Sequence, residues 1–240
     1  MLEGRSRSTL DAMAIGTIHP PKYVVGVDEA GCGAIAGSLV VAAVAFPSDA
    51  TRVTTMWQGV HADKLLVAGD SKGIRNEAHR AALAIAIKAT ASSVAVIEKT
   101  ASEIDQRLFG VVFPEALRLA AARCIDKLHV LHPGLSPNDV LVLVDGDVPR
   151  PDLPCPVQCI IDGDKKDWRI GAASIVAKAQ HDELVTALDS RYPDWNFLKH
   201  RGYPTKTHKT LLAKHGPTAA HRKTFRPVQA VLPPTLGVEL

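Results

Sequence analysis

The chain has 240 residues, 46% of them hydrophobic and 22% charged, with a formal net charge of +3. That length allows a large core in one domain or in a domain with an appendage, and no apolar run approaches the roughly 20 residues that a bilayer-spanning helix needs. The charge is unevenly placed: residues 195–238 carry eight Lys or Arg and no acid, whereas residues 1–194 hold 20 bases and 24 acids, a pattern that suits a polyanionic ligand.

Residues 1–21 contain two arginines but only a short, interrupted apolar stretch. This makes a poor signal peptide, so they are expected to form a flexible extension on a cytoplasmic protein. "YVVGVD" (23–28) and "LVVAAVAF" (39–46) are rich in β-branched residues and ten residues apart, which predicts two neighbouring strands. "RNEAHRAALAIAIKATA" predicts a helix, and "SVAVIEK" a third strand. "EIDQRLFGVVFPEALRLAAARCIDKL" is helical in composition, with Pro114 expected to break or start a helix. "DVLVLVDGD" and "CPVQCIIDGD" read as further strands ending in acids.

"RIGAASIVAKAQHDELVTALDS" predicts a helix with Ala173, Val176, Ala177, Leu184 and Leu188 on one stripe. Ser174, Lys178 and Asp182 recur every four residues on the other side. Strands mixed with helices predict an α/β fold. The four cysteines show no CxxC pair and read as reduced structural thiols.

"GVDEAGCGAIAG" (26–37) sets Asp28 beside Glu29, two charges that repel unless a cation or proton intervenes. The glycines fit neither a dinucleotide fingerprint nor a P-loop: Gly31 and Gly33 are followed by Gly37, no Gly-Lys-Ser/Thr occurs, and the loop leads into a strand. Asp145 ends an apolar run as Asp28 does, and carboxylates at adjacent strand ends of an open sheet converge. With Asp182 from the helix, three segments can contribute four carboxylates to one pocket. Such oxygen-rich sites suit Mg²⁺ or Mn²⁺, and paired ions catalyse phosphodiester hydrolysis.

The segment "KHRGYPTKTHKTLLAKHGPTAAHRKTF" interleaves Tyr203 and Phe225 with Lys, Arg and His. Its bases supply phosphate affinity and its rings can stack on a base or sugar. The four histidines there lack metal-ligand spacing and read as auxiliary charge or packing.

"GVDEAGCGAIAG", "DSK" (70–72), "VDG" (144–146), "GD" (163–164), "GAASIVAKAQHD" and "KHRGYPTKTH…HGPTAAHRKTF" occur in the order found in type 2 ribonuclease H (ribonuclease HII), and from about Tyr23 to Arg226 the chain resembles that family. The resemblance implies a ribonuclease H-like fold, a mixed five-stranded sheet flanked by helices over residues 22–189, with a basic C-terminal helical segment and tail over 190–240. It implies cleavage of the RNA strand of RNA–DNA hybrids and incision 5′ of ribonucleotides embedded in duplex DNA. The products would be a 3′-hydroxyl and a 5′-phosphate.

It further implies Asp28, Glu29, Asp145 and Asp182 as catalytic metal ligands for Mg²⁺ or Mn²⁺, two ions during turnover. The nucleic-acid contacts expected are Gly31, Cys32, Gly33, Ser71, Lys72, Ser174, Lys178 and Tyr203, the last stacking on the sugar beyond the RNA-to-DNA junction. Cys32 stands where the family has arginine, Ser38 for proline, Gly73 for lysine and His181 for arginine. A monomer without membrane attachment is expected. Gln229 and Leu232 in the tail lack the aromatic pair of a replication-clamp peptide. Acid geometry alone leaves open another ribonuclease H-like nuclease acting on DNA, or a hybrid-binding protein with impaired catalysis.

Overall fold

Strands β1 (Tyr23–Ala30) and β2 (Leu39–Pro47) form an antiparallel pair in which Asp28 lies opposite Ala42. The structure, a computed structural model, describes residues 19–49 and 77–233. After helix α1 (Glu77–Thr90), β3 (Ser93–Lys99) pairs antiparallel with β2. Helices α2 (Ala101–Arg107) and α3 (Phe109–Leu131) follow, then β4 (Val140–Asp145) and β5 (Val157–Ile160). The last two strands run parallel to β1, giving the order β3-β2-β1-β4-β5. The mixed five-stranded sheet with flanking helices is the architecture expected from the sequence.

Strand periodicity divides the core. Val25, Val27, Val41, Ala43, Val142 and Val144 meet Leu117, Ala121 and Leu128 of α3 on one face. On the other, Val40, Ala42, Val44 and Phe46 meet α1 and the long helix α5 (Trp168–Arg191), which follows the single turn α4 (Gly163–Lys166). With both faces covered, β2 is apolar at every position rather than alternating. A Cβ on Gly26 would lie 2.2 Å from the Arg169 carbonyl oxygen, so glycine is what lets α5 cross β1 so closely.

Two local expectations change. Pro114 neither breaks nor starts a helix but lies inside α3, and the interruption falls at Leu108, whose φ of 67° ends α2. Placed near the start of α3, Pro114 removes only one helical hydrogen bond. The apolar stripe predicted for α5 widens to the whole circumference in its first half, where every residue from 169 to 177 is buried.

The C-terminal segment contributes α6 (Phe197–His200), α7 (Lys206–His215) and α8 (Arg226–Gln229). Trp195, Phe197, Leu212 and Val228 form a third cluster with Ile35, Ala36 and Val185, fastening this segment to the loop after β1 and to α5. Among the described residues no helix is long and apolar enough to cross a membrane, and all four cysteines are free thiols.

Candidate metal centre and nucleic-acid face

Parallel pairing of β1 with β4 aligns Val27 with Val144, so the next residues, Asp28 and Asp145, emerge side by side at the strand ends on the α5 face. Asp28 is almost fully buried. It accepts the Glu29 amide at 2.7 Å and the hydroxyl of Ser174, and Lys178 Nζ lies 2.6 Å from the Ser174 Oγ. Asp145 accepts the amides of Gly163 at 2.6 Å and Asp164 at 3.3 Å, where α4 begins. A Cβ on Gly163 would sit 2.7 Å from Ile170 Cδ1 and 3.1 Å from that Asp145 oxygen, so glycine permits this approach.

Burial pushes the Asp28 carboxyl up to about 7 against the opposing pull of Lys178 and Ser174, with Asp145 adding to the rise. Glu29 is raised to about 8 by burial and by the charges of Asp28 and Asp145. Asp164 is also raised, first by burial and then by Asp145. Three segments therefore bring four carboxyl groups together: Asp28, Glu29 and Asp145 repel one another, Asp164 is repelled by Asp145, and the ammonium of Lys178 draws on Asp28, Glu29 and Asp164.

Asp182 is not one of them. Both Nε and Nη2 of Arg80 hold its Oδ2, at 2.7 and 2.6 Å, and Arg201 binds the other oxygen while also binding Glu77. Burial raises its pKa, opposed by Arg80 and Lys178, with none of the four acids contributing. The reason is helix rise: Asp182 lies eight residues beyond Ser174, the residue that touches Asp28, or about 12 Å along α5. The expectation of Asp182 in the carboxylate group is corrected to Asp164. The signal for Asp164 was present in "IIDGD", an acid just past the next parallel strand, as Asp145 is at the end of its own.

Hard carboxylate oxygens whose protons are held first by burial and then by neighbouring carboxylates fit a divalent cation, which would remove that repulsion. As the side chains stand, no group of three or more His, Cys, Asp or Glu among the described residues is closed enough to hold an ion.

Gly31, Cys32 and Gly33 form the turn after β1. Gly31 has φ of 81°, and a Cβ there would meet His181 Nε2 at 2.7 Å and the Ser38 carbonyl at 2.8 Å. The Tyr203 ring lies 3.8 Å from the Cβ position of Gly33, the Gly31 amide donates to its hydroxyl, and the residue is 40% exposed. Tyr203 and the glycine turn are thus brought together, next to Glu29. Cys32 is half-buried; burial and then the charge of Glu29 push its thiol up to about 11, and its carbonyl accepts from Arg222 at 3.1 Å.

Ser174 is fully buried, which corrects its assignment as a nucleic-acid contact: it joins Asp28 to Lys178. Lys178 is half-buried among the acids. Ser71 and Lys72 lie outside the described residues. Sequence reasoning also missed Arg222, fully buried, which donates to Gly37 and Cys32 carbonyls and so shapes the turn.

The family model described as Ribonuclease HII matches residues 25–228. The Ribonuclease HII of Pelodictyon phaeoclathratiforme is 37% identical over 203 residues, which cover 85% of this chain and 89% of that protein. Among solved structures, the ribonuclease H2 from Pyrococcus horikoshii OT3 matches with a TM-score of 0.65 at 21% identity, over 87% of this chain and 96% of that one. Bst-RNase HIII, solved in complex with Mn²⁺, matches with a TM-score of 0.59 at 16% identity, over 88% of this chain and 70% of that one.

Proposed function

Since the chain belongs to the ribonuclease HII family and is an endoribonuclease, we propose that it cuts the RNA strand of RNA–DNA hybrids and incises 5′ of single ribonucleotides embedded in duplex DNA, leaving a 3′-hydroxyl and a 5′-phosphate. The observation that carries this reading is the convergence of Asp28, Glu29, Asp145 and Asp164 beside a glycine turn roofed by Tyr203.

Divalent ions, Mg²⁺ or Mn²⁺, supply a nucleophilic water and offset charge on the departing 3′ oxygen when bound. The four carboxylates are the residues that would hold them. Ser174 fixes Asp28, and the amides at the start of α4 fix Asp145, so both acids are oriented before substrate arrives. The bare, exposed backbone of Gly33 lets a ribose approach closely, where the 2′-hydroxyl distinguishes RNA from DNA, while Gly31 lets the turn pack against His181 and Ser38. Tyr203 offers a ring for the sugar beyond the junction, and the bases of α7 supply phosphate affinity.

Incubation with Mg²⁺ or Mn²⁺ and three labelled duplexes tests the reading: all DNA, RNA–DNA hybrid, and DNA with one ribonucleotide. Cutting of the last two only is expected. Equal cutting of the all-DNA duplex favours a DNA-directed nuclease instead.

A further inference from the structure

Three of the four histidines in the basic segment are buried, and their backbone partners fix which nitrogen carries each proton. The Thr218 amide donates to His221 Nδ1 at 3.0 Å, so the His221 proton is on Nε2, facing His208 Nε2 at 3.1 Å. His208 Nε2 must then accept, which leaves its proton on Nδ1 to donate to the Tyr203 carbonyl at 2.9 Å. His200 accepts the Gly202 amide on Nδ1, donates Nε2–H to the Trp195 carbonyl at 2.7 Å, and stacks on His208 with 3.9 Å between ring centroids.

The chain of donors runs one way, Thr218 to His221 to His208, and ends on the backbone of the residue whose ring covers Gly33. The same stretch is tied to the turn from the other side: the Ile35 amide donates to the Gly202 carbonyl at 2.9 Å, and Ala36 bridges His221. Burial keeps both histidines of the chain neutral, His208 down to about 4 and His221 to about 3. A core that only needed filling beside Trp195 and Phe197 would be served by apolar side chains at lower desolvation cost. A directed polar chain instead specifies one orientation of its last member.

We propose that the His221–His208 pair is a positioning relay that sets the tilt of Tyr203 against the Gly31–Gly33 turn, and through it the preference for a ribonucleotide embedded in DNA over a continuous hybrid. This rests on the proposed stacking of Tyr203 at the junction. Both histidines are positioning residues, out of reach of the substrate.

The test is the ratio of cleavage rates on the two substrates, with the full chain and Mg²⁺. His221→Gln keeps an amide donor where Nε2–H stands and retains the ratio. His221→Leu breaks the relay and lowers the ratio about tenfold or more, as expected for a displaced positioning group, with the embedded substrate carrying the loss. In the double variant Tyr203→Ala with His221→Leu, the ratio falls no further than in Tyr203→Ala alone, because both changes act through one ring.

Should His221→Leu fail to fold, His208 supplies the same comparison: His208→Asn keeps the donor to the Tyr203 carbonyl and preserves the ratio, whereas His208→Gln shifts that donor and loses it. Equal losses on both substrates, or a double variant whose ratio falls by the product of the single effects, would overturn the relay. A ratio lowered by Tyr203→Ala but unmoved by His221→Leu overturns the relay alone. A ratio unmoved by Tyr203→Ala removes the junction reading, and the relay with it.

Discussion

Asp182 and Arg80 form a two-pronged ion pair, with Arg80 Nε and Nη2 on the same Asp182 oxygen and only about a tenth of either side chain exposed. A carboxylate so engaged is a clamp between α1 and α5. Asp182→Asn is therefore expected to lower stability by about 3 kcal/mol, the typical consequence of breaking a buried pair from one side, while keeping turnover at temperatures where it is folded. Asp164→Asn is expected to do the reverse, with cleavage lost and the melting temperature little changed. Thermal unfolding paired with single-turnover cleavage of a hybrid checks both, and near-wild-type turnover in Asp164→Asn would remove Asp164 from the site.

Lys178 is the positive charge that acts on Asp28, Glu29 and Asp164. Lys178→Met removes that competitor for the carboxylates, so Mn²⁺ followed by electron paramagnetic resonance is expected to bind more tightly, by about tenfold. The metal-free variant should melt earlier than wild type because the acids then repel without compensation. Unchanged Mn²⁺ affinity would place the ammonium outside the ion's field.

His221 gives a pH dependence with a definite sign. Its pKa falls from the ordinary 6.5 to about 3 on folding, through burial first and then the neighbouring His208 and His200. Between those values the unfolded chain binds the proton and the folded chain does not. Stability from this group is therefore full above pH 6.5 and is lost as pH falls towards 3. Relative to His221→Gln, wild type is expected to lose about 2 kcal/mol between pH 7 and pH 5. Denaturant melts of the two proteins at both pH values measure the difference, and parallel curves would mean that His221 is already exposed to protons in the folded state.

Cys32 stands beside Glu29 and above Arg222 in the turn. Cys32→Arg adds a long cation at a half-buried position. If that cation reaches a phosphate, the salt dependence of binding to the embedded-ribonucleotide duplex steepens by about one unit of slope. An unchanged slope with weaker cleavage would mean that the turn has closed around the smaller thiol.

All five strands were legible because each is a short apolar run bounded by turn residues or acids, and covering both faces of the sheet makes such runs continuous. That Asp28, Glu29 and Asp145 come together in space was legible for the same reason, since strand ends are marked by where the apolar run stops. Asp182 was misplaced because helical phase says which way a side chain points but not how far along the axis its partner lies. Ser174 was misread as accessible, since the polar face of α5 turns towards buried acids rather than solvent. The histidine chain could not be seen at all: it depends on His208 and His221 meeting across a turn, and on backbone donors that leave no mark in composition.

The loop after β1 is closed by partners made very late. Arg222 is 185 residues from Gly37 and 190 from Cys32, the carbonyls it grips, and the Gly37 amide is held by Ala220. At a ribosomal pace of 5–20 residues per second, about 10–40 s separate synthesis of the acid pair from synthesis of its clamp. A nascent chain thus carries Asp28 and Glu29 without the turn beside them being fixed until Ala220 and Arg222 have been made and have docked.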